Sequence, residues 1–190
     1  MGAIADELHR LCKLYEAQCG DGQQNVSPFE VEQRVAEAFA KEHHMWLPLE
    51  EVFTLGVPGP CGNENDTYVS DDSIYKVNNL LNSGSILSLL EKAIAHNIIF
   101  PDTYYRLHAF TGFEGRTIMP VLRQRRIANS EPTPQIAIDT YMAALGFIRE
   151  DIVGRYSNAD FVVWDLIPRN VLRDHDGDIF VVDAEIKKTL

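Results

Sequence analysis

Basic residues are scarce in this chain. Of its 190 residues, 17 are lysine or arginine and 28 are aspartate or glutamate, which gives a formal net charge of −11. Binding to nucleic acid or to an anionic membrane normally requires a basic surface that faces the phosphate groups. The composition therefore argues against general nucleic-acid binding and against a membrane partner. A local basic pocket for one nucleotide is still compatible with it.

Cysteines and long apolar runs are also few. Cys12, Cys19 and Cys61 are an odd number of cysteines without paired metal-ligand spacing, so they indicate neither a disulfide framework nor a zinc site. The N-terminal segment already contains charges at Asp6 and Arg10, and it lacks the apolar run of a signal peptide or membrane span. We expect reduced cysteines and a cytoplasmic location.

The first 48 residues are predicted to form a helical extension. Apolar residues recur at helical spacing from Ile4 to Tyr15, which indicates one amphipathic helix. Ser27 and Glu30 have the spacing of a capping box around Pro28, which predicts a second helix that ends near residue 44. Leaving the apolar faces of these helices in water would cost about 0.8 kcal/mol per exposed methylene. We therefore expect both helices to pack on the remainder of the chain.

Short strands and two further helices are predicted after the extension. The patterns indicate three antiparallel strands, a helix and two strands, at residues 52–55, 67–69, 74–77, 85–97, 104–110 and 117–122. A helix and three short strands follow, at residues 136–147, 162–163, 171–172 and 179–182. This order predicts an α+β fold.

The segment at residues 165–172, DLIPRNVL, is the most informative one. It begins with Asp165, has Asn170 five residues later, and is followed by a short polar turn and a strand that ends at Asp183. Single Asp and Asn residues usually cap turns. Together, however, the three resemble the catalytic loop and the metal-binding strand end of protein kinases.

This resemblance implies a role for each polar residue. Phosphoryl transfer needs an oxygen-ligated divalent cation near the phosphates, and Asn170 and Asp183 would hold that magnesium ion. Asp165 would accept or orient the proton of the attacking hydroxyl. Arg169 would contact a phosphate of the bound ATP.

Two upstream residues match the nucleotide-binding half of the same pattern. Lys76 lies on the third predicted strand, where a kinase places the lysine that contacts the nucleotide phosphates. Glu91, the acidic residue of the following helix, would be its partner. The alternatives are an exposed lysine on an edge strand and an exposed glutamate on a helix surface.

A glycine-containing loop joins the first two predicted strands. Gly56, Gly59 and Gly62 could let backbone amides approach phosphate oxygens, with Gly59 and Gly62 as the cofactor-binding candidates. Pro58 and Pro60 remove two amide donors from this loop. A simple connecting turn is the alternative.

Over residues 52–185, the chain most resembles the serine/threonine/tyrosine kinase-like domain found in polyvalent proteins of phages and mobile elements. The resemblance implies a compact kinase-like domain at residues 49–190. Its N-lobe, about 49–123, would contain an antiparallel sheet, and its reduced helical C-lobe would span about 124–190.

Three departures from ordinary kinases separate two hypotheses. Val163 and Trp164 replace the usual His-Arg, Asp183-Ala184-Glu185 replaces Asp-Phe-Gly, and the 190 residues end before the region where kinases form their peptide platform. We predict an ATP- and magnesium-dependent phosphotransferase that acts on an unknown hydroxyl acceptor, either a protein or a small molecule. The alternative is a catalytically silent pseudokinase that acts as a nucleotide-binding or protein-interaction module.

Overall fold

A computed structural model describes residues 1–19, 26–113 and 117–189, apart from the side chain of Cys19. The chain divides into two units, one formed by Met1–Glu91 with Tyr105–Arg126 and the other by Lys92–Tyr104 with Ile127–Leu190. Its helices and antiparallel sheets agree with the predicted α+β class. The lobe limits inferred from sequence stay a prediction. None of the helices in the described ranges is both long and apolar enough to cross a membrane.

The two N-terminal helices pack within the first unit. Helix α1 spans Gly2–Cys19 and α2 spans Pro28–Glu42. Leu8, Val31 and Val35 are buried, and α2 lies against two strands of the sheet that follows. The expectation that these helices pack on the chain is confirmed, with α1 packed on α2 and α2 packed on the sheet. Burial of their apolar faces holds them there.

Helix α2 begins at the predicted capping box. The Ser27 hydroxyl accepts a hydrogen bond from the Glu30 amide at 3.2 Å, and the Glu30 carboxylate accepts one from the Ser27 amide at 3.1 Å. These bonds satisfy backbone donors that the first helical turn leaves without partners.

A second carboxylate of α2 caps a different helix. Glu32 is buried, and it accepts hydrogen bonds from the amides of Ile86 and Leu87 at the start of helix α3, which spans Ile86–Ile99. Burial raises the pKa of Glu32, while the two amides oppose that rise. The contact joins α2 to α3 through the positive end of the α3 dipole.

Five strands form the sheet of the first unit. They pair antiparallel in the order β1-β2-β3-β5-β4. Their bounds are Val57–Pro58, Asn65–Val69, Ser73–Asn78, Tyr105–Gly112 and Ile118–Arg125 for β1 to β5. Helix α3 follows β3 in the chain, so the order of three strands, a helix and two strands is as predicted, although the first strand lies outside its predicted segment.

The predicted strand at residues 52–55 is wrong. This segment belongs to a 3-10 helix, Leu49–Thr54, that starts after Pro48. Val52 is buried against the sheet, whereas Phe53 is 68% exposed. A run of apolar residues this short does not distinguish strand from helix, because its pattern has no period. The strand of this region, β1, begins at Val57, two residues after the end of the predicted strand, and is only two residues long.

The second unit contains helix α4 and two small antiparallel sheets. Helix α4 spans Gln135–Ala144, close to the predicted helix. The sheets have the orders β11-β10-β6 and β12-β9-β8-β7. The bounds of β6 to β12 are Glu131–Pro132, Ile148–Arg149, Tyr156–Ser157, Phe161–Trp164, Val171–Arg173, Ile179–Val181 and Glu185–Lys188. One apolar core joins α4 to these strands.

The buried cap on α3 gives a stability prediction. Replacing Glu32 by Gln preserves the shape of the side chain but removes its charge and one of its two acceptor oxygens. We expect the free energy of unfolding to fall by about 1 kcal/mol, the usual contribution of a helix cap. Urea unfolding measures the change. The control is Glu42→Gln at the exposed end of α2, and equal unfolding free energies for the two variants would contradict the capping role.

Candidate functional site

Asp165 stands directly after strand β9 in an unusual backbone conformation. Its φ is +61°, in the left-handed region that residues other than glycine seldom adopt. The side chain is 43% exposed. Left-handed non-glycine residues persist only where their surroundings impose them, and they concentrate at functional sites.

Asn170 connects the end of the predicted catalytic loop to its beginning. Its side-chain amide donates to the backbone carbonyl of Asp165 and to the Asp165 carboxylate, at 2.8 Å in each case. The intervening Pro168–Asn170 forms a single 3-10 turn, in which the Asn170 amide donates to the Ile167 carbonyl. The loop therefore closes on the residue that the resemblance assigns as the catalytic aspartate.

Asn170 also brings the Asp183 segment to the same place. Its backbone carbonyl accepts hydrogen bonds from the amides of Val182 at 3.0 Å and Asp183 at 3.3 Å. Strand β12 starts at Glu185, which pairs with Trp164 at the end of β9. The structure thus brings Asp165, Asn170 and Asp183 together within the second unit.

Arg169 lies on the surface beside this group. Its guanidinium is 3.6 Å from an oxygen of the Asp165 carboxylate, and its side chain is 74% exposed. An exposed ion pair of this length stabilises a protein little. The guanidinium therefore has the freedom to turn toward a ligand.

A network of side-chain hydrogen bonds holds the loop on the side of helix α4. Gln135, at the start of α4, donates to the Leu166 carbonyl at 3.1 Å and to the Tyr156 hydroxyl at 3.0 Å. Tyr156 is fully buried and donates to Asp139 at 2.5 Å, while Arg149 donates to the same carboxylate. Burial, and then the Asp139 carboxylate, raise the pKa of Tyr156, so its hydroxyl stays a donor.

Close packing fixes the other side of the loop. Leu166 and Val171 are fully buried and hold the two ends of the loop in the apolar core. Gly154 has a φ of +76°, and a β-carbon at this position would lie 2.9 Å from the Leu166 carbonyl oxygen. The Leu166 amide in turn donates to the Gly154 carbonyl. Only glycine allows this approach.

Glu185, which replaces the glycine of the Asp-Phe-Gly motif, forms an ion pair. Its carboxylate is 3.0 Å from the Lys92 ammonium group on α3, and both side chains are largely shielded from solvent. The pair joins α3 to the segment directly after Asp183. This departure from the kinase pattern thus has a structural function in the second unit.

Lys76 is a central residue of the first unit's sheet. Strand β3 lies between β2 and β5, and Lys76 is only 8% exposed, so the alternative of an exposed edge lysine is wrong. Its ammonium group donates to the Tyr105 hydroxyl at 2.7 Å and lies 5.0 Å from the centroid of that ring. A buried amine needs such partners, because burying a charge without them is costly.

Glu91 occupies a different environment from the one the resemblance implies. It is exposed on α3 and forms no ion pair with Lys76 in the described part of the chain. Its assignment as the partner of Lys76 stays a prediction.

The glycine-containing loop packs on strand β2. Gly59 and Gly62 donate their amides to the carbonyls of Thr67 and Asn65, at 2.8 and 3.0 Å. A β-carbon at Gly56 would lie 2.4 Å from the Val69 carbonyl oxygen, and one at Gly59 would lie 2.7 Å from the Thr67 hydroxyl. This geometry speaks against phosphate binding by the Gly59 and Gly62 amides and favours a close-packed connecting turn.

The polar turn between β10 and β11 contains a second cluster of residues that could bind a metal ion. The ligand atoms of Asp174, His175 and Asp176 lie within 4.8 Å of one another. However, Asp174 already accepts hydrogen bonds from the amides of Asp176 and Asp178, as expected for a turn. We assign these residues to the turn.

Sequence reasoning missed the residues that position the site. Tyr105 begins β4, twenty-nine positions after Lys76, and Gln135 precedes Leu166 by thirty-one. No local pattern indicates such contacts. The predicted helix at residues 136–147 begins directly after Gln135, but its pattern does not indicate which loop Gln135 contacts.

The architecture and the site together indicate a class of protein. Helices with antiparallel sheets, and a loop that joins Asp165, Asn170 and the Asp183 segment, are compatible with a kinase-like fold. The family model of the serine/threonine/tyrosine kinase found in polyvalent proteins matches residues 30–189. The chain belongs to this family, which confirms the resemblance. No curated protein matches the sequence significantly.

The Gly154 contact gives a prediction with a matched control. Gly154→Ala introduces both a left-handed alanine and a collision with the Leu166 carbonyl. Gly146→Ala introduces the left-handed alanine alone, since Gly146 has a φ of +82° and no atom within 4 Å of its β-carbon position.

We expect Gly146→Ala to cost about 1–2 kcal/mol of unfolding free energy and Gly154→Ala to cost more. Chemical unfolding of the two variants measures the difference. Equal costs would show that the loop does not depend on close approach at Gly154.

Proposed function

We propose that the chain is an ATP- and magnesium-dependent phosphotransferase that acts on a hydroxyl acceptor. The observation that supports this most is the pair of contacts of Asn170. Its side chain bonds Asp165, and its carbonyl accepts from Val182 and Asp183. A turn-capping role alone would not require one residue to join two acidic segments that are distant in sequence.

The donor set of this group fits magnesium. The side-chain nitrogen of Asn170 donates both of the hydrogen bonds that this side chain makes. The amide oxygen accepts no hydrogen bond from the described residues. That oxygen and the Asp183 carboxylate are the hard ligands that Mg²⁺ prefers. Asn170 and Asp183 would hold the ion. When bound, magnesium neutralises charge on the phosphates during transfer.

Asp165 is the proposed acceptor of the hydroxyl proton. Its carboxylate is partly exposed and is held by Asn170, so it can receive a hydrogen bond from an incoming hydroxyl group. Gln135 positions the neighbouring Leu166 carbonyl, which limits movement of the loop. A fixed base contributes to transfer because it needs no reorganisation when the proton moves.

Lys76 and Arg169 are the proposed contacts of the nucleotide phosphates. The Tyr105 hydroxyl and ring hold the Lys76 ammonium group in place. Arg169 is exposed and can exchange its long contact with Asp165 for a phosphate oxygen. The acceptor is not identified by any of these residues, because the same machinery serves protein and small-molecule acceptors.

A binding module without catalysis is the second candidate. Two observations favour it: the amides of Gly59 and Gly62 are bonded within the sheet, and Glu91 forms no ion pair with Lys76 among the described residues. Both features would weaken the hold on a nucleotide. Absence of any nucleotide binding by the parent chain would favour this candidate over the enzyme.

The two acidic residues separate binding from turnover. Asp183→Asn removes a charge from the metal site and should weaken magnesium-dependent ATP binding. Asp165→Asn should leave ATP affinity nearly unchanged while it reduces transfer about 100- to 10,000-fold, the usual range for a general base. A binding titration beside a phosphate-transfer assay measures both effects.

The control is Asp178→Asn, which makes the same charge change at an exposed position of the β10–β11 turn. It should bind and turn over like the parent. If Asp183→Asn and Asp178→Asn bind magnesium-ATP equally well, the metal assignment is wrong. If Asp165→Asn transfers phosphate at the parental rate, Asp165 is not the base.

A further inference from the structure

The first unit has a cavity on the sheet face opposite Lys76. Neighbouring residues of a strand point to opposite faces, so Lys76 and Val77 of β3 face different sides. Val77 pairs with Asp66 on β2 and lies on the same face as it. The cavity on this face has a volume of about 470 Å³ and is lined by Asp66 and Val77 among others. That volume suits a small ligand or a side chain.

The interior of this cavity is apolar. Val52 of the 3-10 helix, Tyr68 of β2 and Val77 of β3 line it and are buried. Met119 of β5 adds a partly buried thioether. These side chains belong to one core cluster, so the cavity is a recess in packed structure. An apolar stem placed here would lose contact with water.

Its mouth is aromatic and acidic. Phe53 is 68% exposed, and its ring lies 6.1 Å from the buried ring of Tyr68 in an edge-to-face arrangement. The exposed residues Glu50 and Asp66 also line the cavity, and neither carboxylate has a partner in the described part of the chain. Burial, and then the negative charge of Asp66, raise the pKa of Tyr68, which agrees with a carboxylate near that ring.

We propose that this cavity binds an arginine side chain of a basic peptide segment in a partner protein. The three methylenes of arginine would lie against Val52, Val77 and Met119. The guanidinium would remain at the mouth, where aromatic rings and carboxylates attract it. Arginine suits the site better than lysine because its planar head stacks on rings and pairs with carboxylates at the same time.

Charge also selects the source of the arginine. The α-carboxylate and α-ammonium group of free arginine cancel each other, so free arginine offers a single net positive charge. A basic segment brings further cations to a chain whose formal net charge is −11, and this favours a peptide source. The carboxylates of Glu50 and Asp66 would also repel phosphate compounds. Because the cavity is on the sheet face opposite Lys76, the site is separate from the proposed nucleotide contacts there. The proposal does not depend on phosphotransferase activity.

The test uses the full chain and two capped pentapeptides, acetyl-Gly-Gly-Arg-Gly-Gly-amide and the same peptide with citrulline in place of arginine. Citrulline keeps the shape of arginine and lacks its charge. NMR titrations to millimolar peptide should show chemical-shift changes at cavity residues. The affinity for the arginine peptide should be at least about tenfold higher than that for the citrulline peptide, because citrulline loses a cation–π contact and two exposed ion pairs. Free arginine, which has the same net charge, should bind no more tightly than the arginine peptide.

Variants of the chain locate the effect. Glu50→Gln combined with Asp66→Asn should weaken binding of the arginine peptide about fivefold or more, since both exposed charge pairs are lost. Glu51→Gln makes the same change next to Glu50 but outside the cavity lining, and it should leave the affinity within a factor of two.

Three results would overturn the proposal. They are equal affinities for the two peptides, absence of binding at millimolar peptide, and a Glu51→Gln effect as large as that of the variant with both Glu50→Gln and Asp66→Asn. The last result would indicate general attraction of a cation to an acidic chain. Because Glu50, Glu51 and Asp66 are exposed, the variants should stay folded, and a thermal scan checks this.

Discussion

The contacts of Asn170 are the constraint on which the candidate site depends. One side-chain nitrogen bonds both the backbone and the carboxylate of Asp165, and one backbone oxygen accepts from Val182 and Asp183. Each bond is individually modest, about 0.5–1.5 kcal/mol. These hydrogen bonds matter because they connect two separate segments of the chain. A loop and a strand end, separated by a hairpin, present their acidic groups on the same part of the second unit.

The surroundings of Asn170 make this geometry rigid. Leu166 and Val171 are buried on either side of the loop, and Gln135 holds the Leu166 carbonyl from α4. Gly154 permits the approach of a neighbouring segment that any larger residue would block. The strained φ of Asp165 can therefore persist, because the hydrogen bonds of Asn170 and the buried Leu166 next to it hold the backbone there.

Local patterns predicted the elements whose signals are strong. The capping box at Ser27 and Glu30 is present, and the strands around Lys76 have nearly their predicted bounds, because alternation and capping are local properties. The 3-10 helix at Leu49–Thr54 was missed because its apolar run has no period. The two-residue strands β6, β7 and β8 were missed because so short a segment has no pattern at all.

The residues of the candidate site could be predicted from the sequence, but the residues that hold them in position could not. Spacing pointed to Asp165, Asn170 and Asp183, and the structure brings them together. The contact of Lys76 with Tyr105, the ion pair of Glu185 with Lys92 and the hydrogen bond of Gln135 to the loop all join residues distant in sequence. The bonded amides of Gly59 and Gly62 were also invisible, since only the register of β2 reveals them.

The most direct measurement of the central claim is the thermal unfolding of the parent chain with ATP, in magnesium and in EDTA. If Asn170 and Asp183 hold a metal that in turn holds the nucleotide, ATP should raise the unfolding temperature in magnesium and much less in EDTA. At a ligand concentration one hundred times Kd, the expected stabilisation is about 2.7 kcal/mol. Magnesium without ATP is the control for a direct effect of the ion. An ATP-induced shift that is the same in magnesium and EDTA, or no shift in either, would contradict the account.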